Sequence, residues 1–136
     1  MRSTRMTRAL WILLLAFAGG SAGCVAAAAG AGAGGAIYLT SRGAESIVKG
    51  SVDAVATQAQ AVLEEEGITI DATSTEKSGD KRELKGKKGD LDITVELERK
   101  TTETTNAEVT ARKNLVEWDK DYAQQLLSKI VAKSGG

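Results

Sequence analysis

Apolar and polar residues alternate in several short stretches of the chain, and these stretches predict strands. The clearest one has Leu91, Ile93, Val95 and Leu97 at every second position, with acidic residues or threonine between them. Because successive side chains of a strand point to opposite faces, this pattern predicts a strand with one buried face. Weaker stretches predict four further strands, at residues 46–50, 68–75, 82–86 and 106–111.

Two other stretches repeat their apolar residues at helical spacing. The first follows Ser51, a favoured N-cap residue, and Gly67 is expected just after its C-terminus. The second begins at Asp119 or Lys120. The predicted inward residues are Val52, Val55, Ala56, Ala59, Val62 and Leu63 in the first helix, and Tyr122, Leu126, Leu127, Ile130 and Val131 in the second.

The order βαββββα predicts an α+β fold over residues 45–133, with residues 134–136 as a frayed tail. We expect a two-layer sandwich, in which two helices cover one face of a mainly antiparallel sheet. The aromatic residues of this domain are Trp118 and Tyr122, so its core is thin and an internal ligand cavity is not expected. Trp118 precedes the second helix, where a hydrophobic staple would pack, and the alternative is an exposed aromatic residue that binds a partner.

The amino-terminal end has the layout of a secretory signal peptide. Residues 1–8 contain three arginines, and residues 9–18 form a ten-residue apolar stretch that small residues follow. Ten helical residues rise only about 15 Å, which is half the hydrocarbon thickness of a bilayer. Residues 1–23 are therefore predicted to be a signal peptide.

The end of this segment resembles the lipobox of bacterial lipoproteins. Ala22, Gly23 and Cys24 match the lipobox, while Ser21 stands where an aliphatic residue is usual. The resemblance implies that Cys24 carries a diacylglycerol and becomes the acylated first residue of the mature chain. It thereby implies a lipid-anchored location in the bacterial cell envelope. In a proteobacterial cell, Val25 after the cysteine implies sorting to the outer membrane, facing the periplasm.

Residues 24–44 are rich in glycine and alanine and are predicted to be a flexible tether behind the lipidated cysteine. About twenty such residues have a root-mean-square reach of ~25 Å. The lipobox, this run, the Ile-Tyr-Leu segment after it and the closing DYAQQLLSKI sequence together resemble a family of small bacterial lipoproteins of unknown function. Resemblance to that family implies a location in the cell envelope but no enzymatic reaction.

An uncleaved membrane helix is the alternative at this end of the chain. No charge occurs in the 33 residues between Arg8 and Arg42, and Gly30 and Gly34 have the small-xxx-small spacing of packed transmembrane helices. This alternative predicts a single-pass membrane protein with the same domain.

The residue inventory excludes several functions. The chain has no histidine, no proline and one cysteine, so Cys₂His₂ zinc and Ser-His-Asp chemistry are excluded, and no cofactor or metal is expected. Three of the 18 basic residues precede Cys24, which leaves 15 basic against 18 acidic residues, a poor balance for binding nucleic acid. We expect a non-enzymatic structural or binding accessory, with a carboxylate-dependent envelope enzyme as the weaker alternative.

Basic residues gather on the predicted hairpin of residues 76–90. Lysines on a weak strand commonly prevent edge-to-edge pairing. The alternative is contact with an envelope protein, an anionic cell-wall polymer or a lipid surface. The cluster consists of Lys77, Lys81, Arg82, Lys85, Lys87 and Lys88.

Acidic residues give weaker signals. Asp90 with Asp92, and Asp119 with Asp121, have a spacing found in metal loops, but two oxygens are too few for calcium. Asp119 is better explained as a helix cap. Residues 64–66 are three glutamates at the negative end of the first helix dipole, which predicts a solvated end or a contact with a basic partner.

Overall fold

The computed structural model describes residues 35–135 of the chain. They form β1 (Tyr38–Leu39), β2 (Gly43–Lys49), α1 (Val52–Glu65), β3 (Thr69–Glu76), β4 (Lys81–Lys88), β5 (Leu91–Arg99), β6 (Thr104–Arg112) and α2 (Lys120–Ser134). The strands make one antiparallel sheet in the order β1-β2-β6-β5-β4-β3. The predicted α+β fold is confirmed, with β1 as an added strand.

Helix α1 begins and ends where the sequence predicts. The Ser51 side chain accepts a hydrogen bond from the Ala54 amide at 3.3 Å, and Gly67 follows the helix with a φ of +72°. A glycine is favoured there because other residues rarely adopt a positive φ. All six predicted inward residues, from Val52 to Leu63, are buried. Helical periodicity alone therefore located the face that packs on the sheet.

Helix α2 is capped by Asp119, whose carboxylate accepts a hydrogen bond from the Tyr122 amide at 3.0 Å. Four of its five predicted inward residues are buried, and Tyr122 is only partly buried against the core. The helix extends through Ser134, and the Gly135 amide still donates to the Val131 carbonyl at 3.0 Å. Of the predicted frayed tail, Ser134 is therefore the last residue of the helix and Gly135 is its C-cap.

The core lies between the two helices and one face of the sheet. Helix α1 lies mainly over β3, β4 and β5, and α2 lies over β2 and β6. The inward residues of β5 and β6 alternate with polar ones, as predicted. The core side chains of these two strands are Ile93, Val95, Leu97, Ala107, Val109 and Ala111.

Ordered structure begins earlier than predicted at the amino-terminal side. Strands β1 and β2 occupy positions 38–39 and 43–49, although residues up to 44 were expected to belong to the tether. Ala44, Ser46 and Val48 of β2 are all buried. Small and polar residues here face the core, so the hydrophobic pattern was too weak to reveal the full strand.

Strand β6 also begins earlier than predicted, at Thr104 and not at residue 106. Thr105 is fully buried, and its hydroxyl donates to the Gly50 carbonyl at 2.9 Å. A buried hydroxyl is tolerated when it has such a partner. The bond joins the start of β6 to the corner between β2 and α1.

The prediction that the basic strand protects a sheet edge is wrong. Strand β4 lies between β3 and β5, and β3 is the edge. Gly86 of β4 permits the close approach of β3, because a Cβ there would lie 2.7 Å from the Thr69 carbonyl oxygen. The lysines of β4 therefore have another role.

The predicted signal peptide, Cys24 and most of the tether lie outside the described residues. Within residues 35–135, neither helix has the length and apolar character that a membrane crossing requires. The stretch on which the single-pass alternative depends also lies mostly outside the described residues.

Candidate functional site

The helices leave the second face of the sheet uncovered, and we call this surface the open face. It is formed by the outward side chains of β2 and β4–β6, which alternate with the buried ones. Most of these side chains are charged or hold a hydroxyl or amide. Its central residues are Lys81, Glu83, Lys85, Lys87, Asp92, Thr94, Glu96, Glu98, Asn106, Glu108, Thr110, Arg112 and Glu45.

A row of four glutamates crosses the open face. Glu83 of β4 is directly opposite Glu96 of β5, which is opposite Glu108 of β6, which is opposite Glu45 of β2. Like charges directly opposite one another destabilise a sheet. The row is thus an unfavourable arrangement unless cations compensate it.

Lysines of β4 compensate one half of the glutamate row. Lys85 lies 2.8 Å from Glu83, and Lys81 lies 3.3 Å from Glu96. The hydrogen bond to Glu83 raises the pKa of Lys85, and the hydrogen bond to Glu96 raises the pKa of Lys81. These lysines therefore offset the electrostatic repulsion between the glutamates of the row. This role replaces the predicted protection of a sheet edge.

The other half of the row has no cation beside it among the described residues. In the described part of the chain, no lysine or arginine nitrogen lies within 4.0 Å of the Glu108 or Glu45 carboxylate. Burial is the main cause that raises the pKa of Glu108, and the carboxylates of Glu96 and Glu45 raise it further, while Arg42 opposes the shift. Glu108 is therefore held where its ionised form is disfavoured.

The open face contains a cavity of about 320 Å³ beside Glu108. Its floor includes Thr94 and Thr110, which are directly opposite each other on β5 and β6. Its wall includes Arg42 and Trp118, which come from outside these strands. The predicted absence of an internal cavity concerned the core, whereas this concave site lies on the outer side of the sheet.

Trp118 belongs to the open face. Its backbone forms an antiparallel bridge with Arg112, and the Arg42 guanidinium carbon lies 5.9 Å from the centroid of its ring. That distance is within the range of a cation–π interaction. Trp118 thus lines the cavity.

The loop before Trp118 is held by its own hydrogen bonds. The Asn114 side chain accepts from the amides of Val116 and Glu117 at 3.0 Å each, and the Lys113 amide donates to the Glu117 carbonyl at 2.9 Å. Such local side-chain bonds are typical of tight turns. The loop therefore fixes the position of Trp118 at the end of the sheet.

The six basic residues of the hairpin do not form one surface. Lys81, Lys85 and Lys87 lie on the open face, while Arg82 and Lys88 point to the side that the helices cover. Every cation of the cluster has a polar partner. The closest carboxylates belong to Glu98 for Lys77, Glu96 for Lys81, Asp53 for Arg82, Glu83 for Lys85 and Asp92 for Lys87, and Lys88 bonds to the Tyr122 hydroxyl.

The two cations on the covered side join the sheet to the helices. The Arg82 guanidinium lies 2.7 Å from the Asp53 carboxylate in the first turn of α1. The Lys88 ammonium donates to the Tyr122 hydroxyl of α2 at 3.1 Å. Arg82 and Lys88 lie at opposite ends of β4, and each binds one helix to the sheet. Their role is therefore structural.

Two of the three glutamates at the end of α1 have basic neighbours in α2. Lys129 bonds to Glu66, and Lys133 bonds to Glu65. The hydrogen bond from Lys129 is the main cause that lowers the pKa of Glu66. A basic contact was one of the two expectations for these residues, and it is supplied by the second helix of the same chain.

The aspartates with metal-loop spacing have other roles. The Asp92 carboxylate lies 3.1 Å from the Arg112 guanidinium, and Asp119 caps α2. Among residues 35–135, no group of three or more acidic, histidine or cysteine side chains is placed to hold a metal ion.

Sequence reasoning missed several residues of the site, among them Arg42, Thr94, Glu108 and Thr110. The last three occupy the outward positions of β5 and β6, so their face was predictable. Their neighbours were not, because strand register depends on the turns and on the whole sheet. Arg42 reaches the site because β2 begins directly after it at Gly43.

Fold and site together define the chain as a small α+β sandwich with a charged cavity on an uncovered sheet face. The chain belongs to DUF3568, a family of proteins of unknown function, whose family model matches residues 8–133. A search of curated proteins gives no match.

Proposed function

We propose that this protein is a lipid-anchored, non-catalytic binding protein of the bacterial cell envelope, and that its open face is the binding surface. One observation carries the proposal: the uncovered face of a folded sheet holds a concave site with charges of both signs. Concave sites with a few convergent polar groups are the usual places where proteins bind ligands.

The ion pairs of the site favour binding over catalysis. Three of the four cavity carboxylates hold a cation within 4.0 Å, namely Glu83, Asp92 and Glu96. A carboxylate oxygen that bonds to a neighbouring cation is already engaged and is less available to a reacting group. These residues are suited to shaping a polar surface that recognises a partner.

The anchor is proposed from the sequence around Cys24. The family model extends from residue 8 and so includes Cys24, and the described structure starts only eleven residues later at Gly35. Eleven extended residues span at most about 40 Å. A lipid on Cys24 would therefore keep the domain close to a membrane surface, and Val25 favours the periplasmic side of the outer membrane.

The direction of the chain favours a binding site turned away from the anchor. The Gly35 carbonyl accepts from the Ser46 hydroxyl at 3.1 Å, so the chain joins the sheet beside the second half of β2. Arg42 and Trp118 lie at the other end of β2 and β6. The cavity thus extends toward the end of the domain that is distant from the junction with the tether.

Mass spectrometry of the mature amino terminus tests the anchor. The native chain should begin at Cys24 with a thioether-linked diacylglycerol and an acylated amine, and Cys24→Ser should abolish incorporation of labelled palmitate. Cys24→Ser retains the size of the side chain and removes the thiol. A mature protein that retains Met1, or that carries a free Cys24 thiol, would contradict the anchor.

Site-specific photo-crosslinking in the native host tests the binding surface. A photoreactive residue replaces Thr94 in the cavity or, as a matched control, exposed Thr57 on α1. Crosslinked products should form from position 94 and be absent from position 57. Identical products from both positions, or products from position 57 alone, would refute the open face as the binding surface.

A further inference from the structure

The charges around the cavity leave one unpaired group of each sign. Lys85, Arg112 and their carboxylate partners form ion pairs of 2.8 and 3.1 Å, and Glu96 holds Lys81. Within residues 35–135, Glu108 and Arg42 are the charged lining residues without an ion-pair partner inside 4.0 Å. The site therefore offers one free carboxylate and one free guanidinium.

These two free charges belong to residues near Thr110 in the sheet. Glu108 is two residues before Thr110 on the same face of β6, which corresponds to a rise of roughly 7 Å. Arg42 comes directly before Gly43, whose register partner is Thr110. An ammonium and a carboxylate on one small molecule could therefore reach Glu108 and Arg42 at the same time.

The rest of the lining supplies hydrogen bonds and an aromatic wall. Thr94 and Thr110 are directly opposite each other in the sheet and both line the cavity, and in the described structure neither hydroxyl bonds to another side chain. Either hydroxyl can donate to a carboxylate. Trp118 holds the Arg42 guanidinium over its ring, so the positive group is already positioned before a ligand arrives.

We infer that the cavity binds a small zwitterion of the α-amino acid type, whose ammonium group meets Glu108 and whose carboxylate meets Arg42 and the two threonine hydroxyls. A simple amine would leave Arg42 unpaired, and a simple carboxylate would leave Glu108 unpaired. The volume of about 320 Å³ is at the small end of ligand sites, which suits a free amino acid or a short unblocked peptide. This inference rests on the proposed function of the open face.

The fluorescence of Trp118 reports on this site directly. The chain has two tryptophans, and Trp11 lies in the predicted signal peptide, so Trp118 is the single tryptophan of the mature protein. The purified protein in detergent is titrated with L-alanine, L-alanyl-L-alanine, L-alaninamide and N-acetyl-L-alanine. The first two probes keep both charges and separate a free amino acid from a peptide, while the third keeps only the ammonium and the fourth only the carboxylate.

At least one zwitterionic probe should change the fluorescence. The affinity for each blocked probe should be lower by a factor of about ten or more, because a charge-assisted hydrogen bond is lost. Glu108→Gln and Arg42→Gln should each weaken zwitterion binding by about the same factor. Lys49→Gln, on the open face but outside the cavity, is the control and should bind as the parent does. Circular dichroism checks that each variant is folded.

Three results would overturn the inference: equal binding of L-alaninamide, equal binding of N-acetyl-L-alanine, or no response to any probe. Equal binding of a blocked probe would identify a site for a single charge. The crosslinking at position 94 is independent of these titrations. A captured envelope protein without any zwitterion response would refute this inference alone and leave the proposed function intact.

Discussion

Alternate residues of β5 and β6 face two different environments. On the covered face, Ile93, Val95 and Leu97 contact the helices and are almost fully buried. On the open face, Thr94 and Glu96 of the same strand are only partly buried. The covered face is thus stabilised by burial of apolar area, whereas the open face depends on which charges the register places side by side.

This difference explains why the two faces tolerate change unequally. A buried aliphatic side chain has neighbours on all sides, so its removal leaves a cavity. An open-face side chain has neighbours on the sheet alone, and its charges are screened by water. The covered face therefore determines stability, and the open face is free to vary for function.

Leu97→Ala should have the largest effect on stability. Leu97 is fully buried at the covered face of β5, so we expect a loss of about 2–5 kcal/mol in the free energy of unfolding. Lys49→Ala on the open face should stay within about 0.5 kcal/mol. Urea denaturation followed by circular dichroism measures both. Equal losses of unfolding free energy in the two variants would mean that open-face side chains contribute as much to stability as core side chains do.

Thr105→Val sharpens the comparison with a change that keeps the shape of the side chain. It removes the hydroxyl that bonds to the Gly50 carbonyl and leaves that acceptor without its donor, at a cost of about 1–3 kcal/mol. Thr110→Val makes the same change on the open face of β6 and should cost no more than about 0.5 kcal/mol. A Thr105→Val protein as stable as Thr110→Val in urea would argue against a structural role for the Gly50 bond.

The covered face was largely predictable from the sequence. The inward residues of α1 and of β5 follow directly from periods of 3.6 and 2, and Ser51 and Asp119 are caps by residue type. The prediction failed where small or polar residues face the core, as at Ala44 and Thr105. Burial there depends on tertiary contacts that hydrophobicity does not reveal.

The candidate site was predictable only in part. Alternation correctly places Glu96 and Glu108 on the outward side of their strands, but it does not reveal that they are opposite each other. The cavity also needs Arg42 and Trp118, which lie 76 positions apart in the sequence. Contacts between distant segments depend on sheet order, and the sequence pattern led us to expect β4 at an edge.

Glu108→Gln should stabilise the protein, in contrast to changes on the covered face. The raised pKa of Glu108 means that the folded state binds its proton more tightly than the unfolded state does. Stability therefore falls as pH rises from the ordinary glutamate pKa of 4.5 through the higher pKa of the folded state. Removal of the charge should add about 0.2–1 kcal/mol at pH 7 and little at pH 4.

Glu98→Gln is the matched control on the same face. The hydrogen bond from Lys77 lowers the pKa of Glu98, so its stabilising effect is present above the ordinary pKa and is lost as pH falls through the lowered pKa. Glu98→Gln should consequently fail to stabilise at pH 7. Unfolding curves at pH 4 and pH 7 compare the two variants, and a stabilised Glu98→Gln would show that general charge reduction, not the glutamate row, is responsible.

Lys133→Gln should have the smallest effect, because its ion pair with Glu65 lies at the surface between the two helices. We expect a loss below about 0.5 kcal/mol that disappears in 1 M salt, since exposed pairs are weak and screened. Lys120→Gln is the control, as in the described part of the chain Lys120 has no carboxylate within 4.0 Å. Urea denaturation at low and high salt measures the difference. A loss that persists in high salt would indicate that the Lys133 side chain stabilises the helices by apolar contact, which would extend the covered face beyond the buried residues.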